Sequence, residues 1–189
     1  MNTPAHLLIG AAAFGRRDKR GTTLAAMAGS LAPDVSLYVM VAVSMWVLNI
    51  DARVIFGDLY YSDAWQAVFA VDNSFLIWGA GLAIAIYYKA PRAVAFAAGG
   101  LLHLALDLPL HTHDARMHFW PLTDWVFESP VSYWDTGAHA NLVRPIELAL
   151  SAVAAVVLFL RFRVIWFRAL VIVLMVAELV STGIWQFFF

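Results

Sequence analysis

The chain has no cysteine. Disulfides and thiolate-ligated zinc are therefore excluded, and any metal must be held by histidine, aspartate, glutamate, asparagine or backbone oxygen. Charge is scarce as well. Only 13% of the residues are Asp, Glu, Lys or Arg, roughly half the share usual in a soluble domain. A net charge of −1 and the lack of a large basic patch exclude a nucleic-acid partner. No basic residue precedes the first apolar stretch. In MNTPAHLLIGAAAFGRRDKR the cluster follows it, the reverse of a secretory signal, so this segment is expected to belong to the mature fold. There is no internal repeat, and no Ser or Cys motif argues for a covalent nucleophile.

Apolar side chains are what the chain has in excess. The hydrophobic share is 62% and the mean hydropathy +0.75, which places the protein in a membrane. A transmembrane helix needs about 20 mostly apolar residues. The segments 22–49, 65–88, 91–110, 143–160 and 164–187 qualify, while 4–15 is shorter and is expected to pack against protein rather than lipid. The expectation is an all-α, polytopic membrane helical bundle of five full spans plus a short N-terminal half-helix, forming one integral membrane domain over residues 1–189. Arg16, Arg17, Lys19, Arg20, Lys89, Arg92, Arg161, Arg163 and Arg168 fall in connections on one side. That excess marks the cytoplasmic face of a bacterial-type inner membrane. The opposite side is acidic and rich in tryptophan. Its segment 111–142 is the only sizeable non-spanning region, and its length and aromatic content predict an external lid over a binding site.

Seven ionisable residues interrupt the apolar segments. Counted from the flanking basic residues at 1.5 Å per residue, His6, Asp34, Asp72, His103, Asp107, Glu147 and Glu178 all lie roughly 15 to 25 Å deep. Lipid-facing charge is costly, so each is expected to face the bundle interior, where they converge. With no Lys or Arg at that depth, bare carboxylates would repel one another, and a divalent cation would relieve this. His103 and Asp107, spaced i and i+4, share one helical face. His6, Asp34, His103 and Asp107 are the candidate metal ligands, with zinc first and manganese or iron as alternatives. Asp72 and Glu147 are the candidate proton acceptors. His6 alone would read as an interhelical hydrogen-bonder, and Glu178 as a protonated carboxyl joining helices. Asn73 and Ser74, after Asp72, could simply break and cap a helix. Pro33 removes the hydrogen bond to the Gly29 carbonyl and is expected to kink its helix beside Asp34. The roles of His111, His113 and His118 in the external segment stay open.

The order of these pieces resembles the YdjM-like family of inner-membrane metal-dependent hydrolases. The resemblance lies in Thr3-Pro4-Ala5-His6, in Pro33-Asp34, in Gly99-Gly100-Leu101-Leu102-His103-Leu104-Ala105-Leu106-Asp107 and in Phe119-Trp120-Pro121, over roughly residues 3 to 125. Two places depart from the family's pattern. Ser36 stands where a second aspartate is common, and Asn73 where a histidine is, with Asp72 as the candidate replacement. The resemblance implies metal-dependent hydrolysis. The depth of the polar slab and its aromatic cover suit an amphipathic substrate, a lipid or lipid-linked phosphoester, with membrane lipids as the other partners. The alternative is a non-catalytic membrane protein that binds metal or lipid, or an ion pathway; mid-membrane carboxylates on broken helices also build transporter ion sites.

Overall fold

Proline and serine set several helix starts. Pro4 lies in the first turn of α1 (Thr3–Phe14) and Pro91 opens α6 (Pro91–Asp107), positions where the missing N–H costs nothing. Ser62 caps α4 (Asp63–Asp72), its Oγ accepting from Trp65 N, and Ser74 caps α5 (Phe75–Tyr87), accepting from Ile77 N at 3.2 Å. The remaining helices are α2 (Arg20–Ala42), a short α3 (Ala52–Val54), α7 (Ala140–Arg161) and α8 (Ile165–Ile184). This computed structural model describes residues 1–184, the side chains of 182–184 excepted. Residues 185–187, the end of the expected last span, lie outside the described residues. Among those described the protein is all-helical, with no β-strand.

Among the described residues, four helical segments are long and apolar enough to cross a membrane: Arg20–Val47, Asp63–Tyr87, Pro91–Leu110 and Ala140–Arg161. These agree with the expected segments to within a few residues. The second is broken at Asn73-Ser74, as the capping chemistry of those residues implies.

Side chains are distributed inside out relative to a soluble helix. On α7, Ile146, Val153 and Leu160 are 61, 62 and 75% exposed, whereas Glu147, Ser151 and Ala154 face inward and are buried. In water that arrangement would expose apolar surface and bury polar groups; in lipid it is the favourable one. The helices thus fit a membrane protein.

α1 is the exception, packed among α2, α6, α7 and α8. Its Ala5, His6, Leu8, Gly10 and Ala11 are buried. A 12-residue helix spans about 18 Å, and protein rather than lipid surrounds it. At its C-terminal end Arg161 donates to the carbonyls of Ala12 and Gly15 at 2.7 and 2.9 Å. Arg92 lies against Gly21. Basic residues from three connections therefore gather at one end of the bundle.

At the other end two segments, not one, cover the helices. Besides 111–139, the stretch after α2 runs through a π turn (Val43–Val47), α3 and a second π turn (Ile55–Leu59) before α4. Nothing in the local pattern marks this stretch as more than a connection. The longer segment is tied down: Phe75 N donates to the His118 carbonyl at 2.9 Å, and Ser129 Oγ to that of Pro109 at 2.6 Å. Arg144 donates to the carbonyls of Tyr133 and Trp134.

Glycine sets the distance between α2 and α6. A methyl group at Gly29 would sit 1.8 Å from the Phe96 carbonyl oxygen, and one at Gly99 2.4 Å from that of Ala26. Only at this separation does the Ser30 carbonyl reach the ring of His103. Gly81, on α5, has open space instead: a Cβ there would meet nothing within 4 Å. Gly29→Ala is expected to cost about 1–3 kcal/mol through overpacking, whereas Gly81→Ala should be neutral or slightly stabilising. Thermal unfolding of the two variants in detergent, followed by near-ultraviolet dichroism, checks this; equal melting temperatures would refute it.

Candidate metal centre

The centre begins on α6, where His103 and Asp107 project one turn apart from the buried face. Pro109 prevents the helix from continuing normally. A single 3-10 turn, Leu108–Leu110, instead carries the chain over the helix end and returns His111 above Asp107. His103 Nε2 and His111 Nε2 each lie 3.2 Å from Asp107 Oδ2. α1 brings the third imidazole: His6 Nε2 is 2.8 Å from Asp107 Oδ1, and its ring stacks on His103 with centroids 3.8 Å apart. Ligand atoms of His6, His103 and Asp107 all fall within 4.8 Å of one another. Asp34 of α2 adjoins them, Oδ1 being 3.6 Å from His103 Nε2.

The surroundings fix which nitrogen of each ring can act. His103 Nδ1 is 2.8 Å from the Ser30 carbonyl, which can only accept, so Nδ1 carries the hydrogen when the ring is neutral. The lone pair is then on Nε2, buried and without a hydrogen-bond partner. His111 Nδ1 pairs with Asp114 Oδ2 at 2.7 Å, and Trp134 Nε1 donates to the same oxygen at 2.9 Å. Orientation of an imidazole through its other nitrogen is the usual outer arrangement of a metal-ligating histidine. Burial disfavours a charged His111, yet Asp114 and Asp107 outweigh it and raise the ring to about 9. Asp114 is held down to about 2: burial pushes it up, and His111 and its hydrogen bonds overcome that. Two or three imidazole nitrogens with carboxylate oxygens form a donor set that zinc, manganese or iron accepts.

The first three residues of the chain bind four carboxyl groups. The Met1 amino group is 2.5 Å from Asp107 Oδ1. The Asn2 backbone N–H donates to Glu147 at 2.5 Å and its side chain to Glu178 at 3.3 Å. Thr3 Oγ1 donates to Asp34 Oδ2 at 2.6 Å. The expectation that no Lys or Arg lies near these carboxylates is therefore corrected: Arg116 lines the adjoining cavity, and the Met1 amino group sits on Asp107.

That cavity, about 260 Å³, is walled by Asp34, Asp107 and His111 together with Tyr38, Tyr60, Tyr61, Asp114, Arg116, His118 and Tyr133, among others. Of the predicted site residues, His6, Asp34, His103 and Asp107 come together. Asp72 and Glu147 do not line the cavity. Asp72 ends α4, where its carbonyl accepts from Trp78 Nε1 at 2.7 Å, and the next residue, Asn73, reaches the wall instead. Helix rotation explains this, since adjacent helical positions point about 100° apart. Glu147 is engaged elsewhere: Asn2 donates through its backbone N–H to Glu147 and through its side chain to Glu178, so the two carboxyls are held by one residue. The slab of seven residues is thus divided.

Of the external histidines, whose roles the sequence leaves open, His111 and His118 prove buried, while His113 is exposed. The signal for His111 was present: His103, Asp107 and His111 form a His-x3-Asp-x3-His series. His118 Nδ1 lies 2.9 Å from the Asn73 carbonyl, and burial lowers the basicity of the ring. A neutral His118 keeps Nε2 as a proton acceptor.

No match is found between this chain and any family model, curated protein or solved structure.

Elemental analysis of the purified protein, with zinc or manganese titration after chelation, is expected to give a bound divalent ion that His103→Ala and Asp107→Ala remove. Asp114→Asn, which releases the ring of His111, should weaken binding about 10- to 100-fold. Unchanged affinity in His103→Ala would rule out this centre.

Proposed function

We propose that the protein is a membrane-embedded, metal-dependent hydrolase acting on a lipid or lipid-linked phosphoester in the outer half of the bilayer. The observation that carries this reading is the convergence of His6, His103 and His111 on Asp107, beside a cavity whose wall Asp107 and His111 help to form. His6, Asp34, His103 and Asp107 would hold the ion, and His111 adds a further nitrogen. When bound, a divalent ion supplies Lewis-acid polarisation of the phosphoryl oxygen and makes water acidic enough to act near neutrality. The chain's own residues do the rest. Ser30 and Asp114 orient the imidazoles, and His118 is the cavity group suited to accept a proton, in place of Asp72 or Glu147.

An amphipathic substrate is supported by the cavity's position. Tyr38 and Tyr61 on its wall are 51 and 46% exposed, and beside Tyr38 the outward Val35 and Val39 of α2 present apolar surface. A head group can enter the polar chamber while acyl chains stay in lipid. The same reading takes α8 as a fifth span, α1 as a half-helix packed within the bundle and the basic end as cytoplasmic, in a bacterial-type inner membrane. Membership of the YdjM-like family belongs to this proposal too, resting on the motifs that carry the resemblance.

A second reading, a non-catalytic metal- or lipid-binding protein or an ion pathway, draws on the Met1 ammonium, which compensates Asp107 without a metal. A panel of lipid phosphoesters assayed with and without chelator separates the two. The hydrolase reading expects metal-dependent turnover, abolished in His103→Ala and Asp107→Ala and close to wild type in Asp72→Asn. Stoichiometric metal without turnover on any of them would favour the second.

A further inference from the structure

Arg116 is a cation in an unusual position. It is 8% exposed, and its guanidinium carbon lies 3.9 Å from the centre of the Phe69 ring and 4.7 Å from that of Tyr60. Nη2 donates to Tyr60 Oη at 2.5 Å, whereas Nη1 is buried and has no hydrogen-bond partner. The carboxylate whose field reaches it, Asp114, has turned its Oδ2 to His111 and Trp134. A guanidinium stays charged under all ordinary conditions, and a buried charge without a counter-ion is costly unless something pairs with it. The aromatic rings fix the plane of the group and leave a donor edge unused. Arg116 also lines the same chamber as Asp34, Asp107 and His111.

We propose that Arg116 is the anion-recognition residue of this cavity, binding the phosphate group of a phosphomonoester or phosphodiester through its free N–H donors. Phosphate oxygens match the guanidinium fork, and charge-assisted bonds of this kind are among the strongest available to a side chain. Tyr60 and Phe69 position the guanidinium and exclude water around it. The inference rests on the phosphoesterase reading of the chamber only for the fate of the bound group. Capture of the anion by Arg116 needs no metal.

The test uses the full chain in nanodiscs, stripped of metal with chelator. Inorganic phosphate is titrated by calorimetry, and nanodiscs of phosphatidylcholine with and without phosphatidic acid are compared by tryptophan fluorescence, Trp134 being on the cavity wall. Saturable binding of one of these probes is expected, weakened roughly 10-fold or more in Arg116→Gln and partly retained in Arg116→Lys. His103→Ala should lose metal yet keep anion binding. A response to phosphatidic acid alone assigns the ligand to lipid, and one to inorganic phosphate alone to a soluble ester. Wild-type protein that binds neither, or an Arg116→Lys variant that folds and binds as wild type together with an unaffected Arg116→Gln, overturns the proposal. Should Arg116→Gln not fold, a rise in the wild-type melting temperature with phosphate but not with chloride, absent in Arg116→Lys, supports it, and equal rises overturn it. Arg116-dependent binding without hydrolysis would sink the hydrolase reading and leave this one standing. Metal-dependent hydrolysis insensitive to both Arg116 variants would do the reverse.

Discussion

A carboxylate buried in an apolar bundle is the constraint around which this protein is arranged. Asp107 is contacted by His6, His103, His111 and the Met1 amino group, supplied by α1, by α6, by the turn after it and by the chain start. An unpaired charge there would cost several kcal/mol. The close approach of α2 to α6 through Gly29 and Gly99 matters because it delivers the Ser30 carbonyl to His103 and brings Asp34 alongside.

α1 has a corresponding role. Short and surrounded by four helices, it could not be held by lipid; it is held by its contacts. One end is fixed by Arg161 on its last carbonyls, and the other by hydrogen bonds from Asn2 and Thr3 to three carboxyl groups. Fixing both ends of a half-length helix sets the height of His6, and hence which oxygen of Asp107 it meets. The Glu147–Glu178 pair belongs to this anchoring rather than to the cavity. Its polar atoms join α7 and α8 to the chain start.

The segment that covers this end of the bundle supplies polar side chains as well as shielding. Asp114 pairs with His111, His118 is a wall imidazole whose basicity burial lowers, and Arg116 brings a guanidinium into a chamber that Asp34, Asp107 and Asp114 also line. Asp114, Arg116 and His118 lie within five positions of one another in a segment without regular helix. Loops mounted on a rigid scaffold are a common source of functional side chains. Here the helices supply the cluster and the loop supplies its partners.

Composition and local pattern alone determined that the protein is helical and suited to a membrane, roughly where its apolar helices run, and that His6, Asp34, His103 and Asp107 are out of place unless they meet. Those properties derive from the cost of polar groups in hydrocarbon and from the i, i+4 period, which are local. Whether Asp72 or Asn73 faces the chamber depended on the phase at which one short helix ends before a break. The inward turn of His111 depended on the 3-10 turn that contains Pro109, and the burial of Arg116 on Phe69 and Tyr60, each more than forty residues away in the chain. Such contacts are fixed by packing between distant segments, which no local period encodes, so only the tertiary structure decided them.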